Sequence, residues 1–353
     1  MPGKFSRFFH DRFRHNEARI HELRYLFWEC TQRCNLKCLH CGSDCIAEPE
    51  VRDMPFDDFL KAILPLKKVY DPNSIQVVIT GGEPLLRADL PACGIALRRH
   101  GFRWGIVTNG WAYTADKHTA LLSTGMGSLT LSLDGFEESH NWLRSNNKSF
   151  ERALHALDLI VSSQNLNYDI VTCVHSKNFN ELQEFRNFLI SKKVKAWRLF
   201  TIAPIGRAAD NPDLRLSDQQ LQELMEFITQ SRKDKLMDVK FSCESYVGKY
   251  ERKVRDDYFF CRAGIHIASI LIDGSVSACP NINRYFVQGN IYKDQFLDIW
   301  ENRFEIMRNR SWTKTGICLQ CQDYKHCEGG AMHMWDGQKE CNLGCIHQKI
   351  QPV

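Results

Sequence analysis

Cys34-Asn35-Leu36-Lys37-Cys38-Leu39-His40-Cys41 follows closely on the apolar run RYLFWEC (24–30). The stretch places three thiols, at x3 and x2 spacing, on one short loop after a predicted strand. The C-terminal ends of strands are where α/β barrels and sheets carry their sites. Three thiolates on such a loop can hold three corners of a cuboidal iron–sulfur cluster, leaving the fourth iron open to an exogenous ligand. A structural zinc loop is the competing reading. It wants four closed ligands, normally as paired cysteines.

Five more runs of the same texture follow: IQVVIT (75–80), WGIVTNG (104–110), SLTLSLD (128–134), DIVTCVH (169–175) and AWRLFTI (196–202). β-Branched and aromatic residues dominate them, and several are apolar on both faces, the mark of buried parallel strands. Helical patterns such as FDDFLKAILPLKKVY, SFERALHALDLIVSS and NFNELQEFRNFLISKK lie between. Six strands alternating with helices predict right-handed βαβ units and an α/β fold, its parallel sheet open or curled into a partial barrel. The alternation stops after residue 203. APIGRAADNPDLRL reads as an exit loop, and Ser217 with Gln220 forms a capping-box pattern for the next helix. Seven of the 15 cysteines fall after residue 255, among short strands and Gly, Asn and Asp turns. That texture predicts a second, smaller, metal-organised α+β domain.

Composition bounds the function. The chain has 353 residues, 43% hydrophobic and 25% charged, which is ordinary for a globular protein. Lys plus Arg is 46 and Asp plus Glu is 42, a net charge of +4 that gives no case for nucleic-acid binding. No run approaches a membrane span and no signal-peptide pattern opens the sequence, so the expected compartment is the cytosol. There, clustered cysteines read as metal ligands or catalytic groups rather than bridges.

The x3/x2 triad resembles the defining motif of radical S-adenosylmethionine (radical SAM) enzymes, with His40 in the position before the last cysteine that is typically aromatic or His. Three further matches follow in the family's order, each at the end of a later strand. Gly81-Gly82-Glu83-Pro84 is similar to the family's GGEP loop, Thr108-Asn109-Gly110 to its next strand end, and Ser132-Leu133-Asp134-Gly135 to the strand end facing ribose and carboxylate. Arg144, in HNWLR, resembles a frequent family position. The resemblance implies a partial (β/α)6 TIM-like barrel over residues 24–205. It also implies a [4Fe–4S] cluster on Cys34, Cys38 and Cys41, with SAM contacted by Gly81, Gly82, Glu83, Pro84, Asn109, Ser132, Asp134 and Arg144. Glu83 would offer an acceptor to the methionine ammonium, and Arg144 would face the SAM carboxylate. Cys30 and Cys45 flank the triad at x3 spacing and read as small buried hydrophobes, since a fourth thiolate would occupy the iron that SAM chelates.

Cys261-x12-Gly274-x4-Cys279, then Cys318-x2-Cys321-x5-Cys327, then Cys341-x3-Cys345 resembles the SPASM extension, which carries auxiliary [4Fe–4S] clusters. The family's further cysteine, four positions after the one matched by Cys327, is Ala331 here. By resemblance Cys318, Cys321, Cys327 and a late cysteine, with Cys345 preferred, form one auxiliary site. Cys261 and Cys279, with Cys341 or Cys243, form the other; one or two auxiliary clusters result. Without the neighbouring radical SAM motifs, a zinc ribbon would fit the late pairs equally well.

The implied chemistry is reductive cleavage of SAM to a 5′-deoxyadenosyl radical, which takes hydrogen from a peptide or protein substrate. A flavodoxin- or ferredoxin-type reductant would supply the electron. The alternatives are a radical SAM dehydrogenase of a small molecule, or a non-catalytic zinc-organised module. An epimerase would need a thiol hydrogen donor, for which Cys93 and Cys173 are candidates by elimination. The stretches FWECTQRCNLKCLHCGSDC and VRDDYFFCRAGIHIASILIDGSVSACPN resemble a little-characterised subfamily associated with small lipoproteins. The expected organisation is a basic amphipathic extension (1–23), the radical SAM core (24–205), a bridging helical region (206–255) and the SPASM domain (256–353). The first segment interleaves Phe5, Phe8, Phe9, Phe13, Ile20 and Leu23 with six Lys/Arg and three Asp/Glu over residues 4–24. It reads as a helix docked on the barrel, or as a peptide- or membrane-touching arm.

Overall fold

The apolar runs become strands in the order the sequence sets. The computed structural model describes residues 4–242, 244–339 and 341–350; Cys243 and the side chain of Phe5 lie outside them. The strands are β1 Tyr25–Glu29, β2 Gln76–Thr80, β3 Arg103–Thr108, β4 Ser128–Ser132, β5 Asn167–Val174, β6 Ala196–Thr201, β7 Asp238–Phe241, β8 Ile267–Ile270, β9 Ser275–Ser277 and β10 Gly289–Asn290. The main helices are α1 Lys4–Ile20, α2 Phe56–Ile63, α3 Leu90–Arg99, α4 Ala115–Ser123, α5 Glu137–Arg144, α6 Ser149–Val161, α7 Leu182–Ser191, α8 Asp218–Ser231 and α9 Phe296–Asn302. The α8 capping box forms as read, Ser217 and Gln220 each bonding the other's backbone N–H.

One sheet runs β10-β9-β8-β1-β2-β3-β4-β5-β6-β7. The pairs from β8 through β7 are parallel, and β9 and β10 continue antiparallel at one edge. Two parallel strands were not read from the sequence. β7 falls within 206–255 and β8 within 256–353, so residues assigned to the second domain extend the barrel sheet beside β1. Among the described residues no helix is long and apolar enough to cross a membrane.

The sheet is curled. Arg207, just after β6, donates to the carbonyl of Cys38, just after β1, at 2.8 Å. Five flat strand spacings would separate the two strand ends by about 24 Å, and the contact between these loops fits a sheet curled into a barrel-like arc. The interior of the layers is tightly filled. Trp28 stacks on Phe59 with centroids 4.6 Å apart, and Arg87 lies 4.9 Å over the same indole while donating to the carbonyls of Cys30 and Met54. Gly94 of α3 lets the helix rest on Trp104 of β3: a Cβ there would lie 2.2 Å from the indole. Residues 4–20 form α1, which packs on the later segment, including His266 just before the barrel strand β8, through Arg14, Glu17 and His10.

Trp104 is rigid and buried, so Gly94→Ala is expected to destabilise the protein by about 1–3 kcal/mol through overpacking. The unfolding midpoint of the variant measures this; an unchanged midpoint would contradict the packing.

Candidate active site and cluster sites

The triad loop is held by backbone. Cys34 donates its N–H to Ile46 at 2.8 Å, and Thr31 bonds Asp53 at 2.5 Å. Gly82 and Glu83 donate to the carbonyls of Thr31 and Arg33 at 2.7 and 2.8 Å. A Cβ at Gly81 or Gly82 would sit 2.2 Å from one of those carbonyl oxygens. The glycine pair is therefore required by the approach of β2's end to the loop. Cys34 and Cys38 are buried and Cys41 half-buried, in a cluster that includes Leu36, Cys45 and Trp111.

Two donors face the sulfurs. The Asn109 amide nitrogen lies 3.9 Å from Cys34 Sγ and 2.9 Å from Asn35 Oδ1. Arg144 Nη1 lies 3.7 Å from Cys38 Sγ. Arg144 is buried against Asp134, which its guanidinium meets at 2.6 Å. Burial by itself would raise the Asp134 carboxyl; Arg144, with His140 and His40 behind it, outweighs burial and holds it at about 2. Asp134 also accepts the Cys173 N–H at 2.9 Å. Burial, then the charge of Arg144, lowers His40 to about 3, so its ring is neutral.

Glu83 is placed differently from the expected ammonium acceptor. It is wholly buried, and its oxygens take the N–H of Leu85 (3.1 Å), the Thr108 hydroxyl (2.8 Å) and the N–H of Asn109 (2.8 Å). Its carboxylate clamps the end of β3 to the end of β2. Pro84 opens the short turn that follows, and Ser132, half-buried, ends β4. Cys173, on β5, sits beside Asp134 and packs against the cluster of Leu143, Ala208 and Leu214. Cys93, in α3, lies in the helix layer near Cys30 and Arg87. Cys30 is fully buried in that core, as read. Cys45 hydrogen-bonds the Cys41 sulfur; this bond is the main cause lowering Cys41 to about 5 and pushing Cys45 up.

Sequence reading missed Arg207. Besides Cys38 it bonds Asp44 at 2.5 Å and the Cys45 carbonyl at 3.1 Å. Gly206 before it has φ +55 and leaves 2.4 Å between a Cβ and the Cys41 carbonyl. The Gly-Arg pair in an exit loop was the available signal.

The donor set fits an iron–sulfur cluster with a polar cofactor. Three sulfurs share one loop, and the polar atoms Asn35 Nδ2 and His40 Nδ1 of the same loop are buried without protein partners. Among the described residues no three His, Cys, Asp or Glu groups gather around a single-ion position.

The late cysteines divide. Cys318, Cys327 and Cys345 line one small cavity with Glu244 and Ala331. Burial, then the charges of Cys345 and Cys321, raises Cys318 to about 11; Cys327 is pushed up by burial and the same neighbours plus Cys318. Cys318, Cys321, Cys327 and Cys345 thus form one group. Cys341 lies exposed on a two-residue strand paired with Asp336. Cys261 is buried; burial raises its thiol, but Arg310 and the N–H groups of Met332 and Ala263 leave it lowered. The Met332 contact puts Ala331, the departure from the SPASM pattern, beside Cys261. Cys279 is half-buried just past β9.

Between the two sets lies a cavity of about 500 Å³, the size of a ligand pocket. Its walls come from the triad loop (Gln32, Asp44), the end of β6 (Pro204, Ile205) and the later segment (Asn281, Arg284, His333, Lys339).

Comparison with known proteins agrees with this layout. Residues 28–189 match the radical SAM superfamily model, and 261–322 match the SPASM iron–sulfur cluster-binding domain. Curated relatives include an AdoMet-dependent heme synthase of Nitratidesulfovibrio vulgaris, 24% identical over 87% of this chain and 86% of that protein. The mycofactocin maturase MftC of Mycobacterium tuberculosis is 28% identical over 87% of this chain and 78% of its own. Among solved structures, anSMEcpe with bound AdoMet and the Cp18Cys peptide shares the fold at TM-score 0.70 and 19% identity, covering 93% of this chain and 94% of that one. Streptococcus suis SuiB bound to its precursor peptide SuiA does so at TM-score 0.68 and 18% identity, covering 91% and 75%. The chain thus carries a radical SAM domain and a SPASM domain, a pairing that implies a [4Fe–4S] cluster, SAM and auxiliary clusters.

Proposed function

We propose that this protein is a radical SAM maturase that modifies a peptide or protein. The observation that carries the reading is the cavity between the triad loop and the cysteine-rich segment. It is lined by side chains of both signs, amides and aliphatic groups, the mixture an extended peptide with varied side chains requires. The mycofactocin maturase and the peptide-bound fold relatives agree with it.

Cys34, Cys38 and Cys41 would hold the cluster that binds SAM, and the bound pair would supply radical chemistry able to take hydrogen from an unactivated carbon. The rest falls to the protein. Gly81, Gly82 and Pro84 shape the loop, and Glu83 locks it to Asn109. Asn109 and Arg144 direct donors at two of the ligand sulfurs, the kind of contact that tunes a cluster's potential. Asp134 keeps Arg144 aimed, and Ser132 stands at the same rim. Cys318, Cys321, Cys327 and Cys345 would hold an auxiliary cluster, and Cys261 and Cys279 would serve the other site. Residues 24–205 form the core, 206–255 the bridge and 256–353 the auxiliary domain, with a flavodoxin- or ferredoxin-type donor and a cytoplasmic setting.

A second reading, a small-molecule substrate, is favoured by the relatives named heme synthases. Co-expression with small open reading frames adjacent to the gene, followed by mass spectrometry, separates the two. A modified peptide supports the maturase. Unmodified peptides from an enzyme that turns over on a small molecule overturn it.

Anaerobic reconstitution with iron, sulfide, SAM and dithionite should yield 5′-deoxyadenosine. Cys34→Ala with Cys38→Ala and Cys41→Ala should lose about four irons per chain and all SAM cleavage, retaining auxiliary iron. SAM cleavage by the triple variant would refute the ligand assignment. Cys345→Ala should lower iron content while SAM cleavage stays measurable; full iron retention would remove Cys345 from its set. Asp134→Asn strands a buried guanidinium, so stability should fall by about 3–5 kcal/mol, read by chemical denaturation of the variant. A loss under about 1 kcal/mol would show that Arg144 finds another partner.

A further inference from the structure

The inner face of α1 is firmly tied. Arg14 donates to the carbonyls of Lys325 and His326, both at 2.9 Å. Glu17 meets the His266 ring at 2.6 Å and Arg24 at 3.1 Å, and Asp11 meets His326 at 3.0 Å. Arg7 lies over the rings of Tyr246 and Tyr258. Both acids of the helix are thereby turned toward the protein.

The outer face is different in kind. Phe8, Phe9, Phe13 and Ile20 are 59, 64, 43 and 52% exposed. Phe9, Phe13 and Ile20 fall on one stripe of the helix, at intervals of four and seven residues, and Arg12 and Arg19 occupy the stripe beside it, both exposed. The outer face carries no acid. Solvation does not explain three open phenylalanines on a helix so well anchored.

We propose that this face docks reversibly on an anionic membrane surface, with α1 lying in the interfacial plane over its length of about 25 Å. Aromatic side chains enter the headgroup boundary and flanking arginines meet anionic headgroups, the usual division of labour in an interfacial helix. A second copy is a poorer occupant: antiparallel self-pairing of the stripe would face arginine with arginine and no acid between them.

The test is co-sedimentation of the intact, anaerobically reconstituted chain with vesicles of phosphatidylglycerol and phosphatidylcholine, or of phosphatidylcholine alone. The expected result is partition onto the anionic vesicles, weak partition onto the neutral ones, and loss as salt shortens the screening length. The double variant Phe8→Ser, Phe9→Ser and the double variant Arg12→Glu, Arg19→Glu should each weaken partition by about tenfold or more. Both should keep wild-type iron content and melting midpoint, because these side chains face solvent. Absence of partition onto anionic vesicles overturns the proposal, as does equal partition onto neutral ones or unchanged binding by both variants. A dimer in sedimentation velocity that the phenylalanine variant dissolves, without vesicle binding, would assign the face to a second copy instead.

Discussion

The carbonyls of Thr31 and Arg33 accept N–H bonds from Gly82 and Glu83, and this short ladder gives an irregular loop a fixed shape. A loop bearing three thiols, two of them buried, has few backbone bonds of its own beyond those of Cys34 to Ile46 and Leu39 to Leu143. Here the neighbouring strand end supplies the pairing, which is possible only because residues 81 and 82 have no side chain to obstruct it. Glu83 extends the constraint to β3: its buried carboxylate is neutralised in effect by three N–H and O–H donors, two of them from residues 108 and 109. The Asn109 side chain then reaches Cys34. One chain of backbone and carboxylate contacts thus runs from the glycine pair to a ligand sulfur.

The same economy joins the two halves of the molecule. β8 pairs with β1 along the strand that feeds the triad, and Glu29 at the end of β1 accepts the N–H of Ile272 just past β8. Burial raises the Glu29 carboxyl, with that N–H pulling the other way. The later segment is therefore an extension of the sheet as well as a separate set of loops, and α1 closes over it from the other side. The cavity between the cysteine sets has walls fixed relative to one another by strand pairing.

Much of this was legible because its signals are local. Strand runs, turn glycines and cysteine spacing each declare themselves within a few residues, and six strands with four ordered motifs fixed the barrel and the triad. What sequence concealed was contact at a distance. β7 and β8 are only four residues long, too short for their pattern to stand out from loops, and tertiary pairing defines them. Glu83 and Asp134 both carry chemistry that invites a ligand, yet the fold commits each to a buried network, Glu83 to three donors and Asp134 to Arg144. Arg207 is announced only by the glycine before it and acquires its place when the exit loop packs on the triad loop. Cys341 matches the spacing of a ligand as well as Cys345 does, but only Cys345 faces Cys318 and Cys327, because the short strand at 341–342 turns the former outward.

The position of the second cysteine group follows from one buried carboxylate. Glu244 takes both the N–H and the hydroxyl of Thr201, at 2.8 and 2.7 Å, where β6 ends at the barrel mouth. It also lines the cavity shared by Cys318, Cys327 and Cys345. Burial raises its carboxyl to about 7 despite those two donors and the charge of Arg255, so the group gains little as a charge and acts as a strut. A strut of this kind has consequences for electron flow. Distance governs transfer between redox centres, and the distance here is set by the end of a strand whose register with β5 is held by five residue pairs. A cluster held by the second cysteine group would therefore sit at a distance from the triad loop that the end of β6 helps to set.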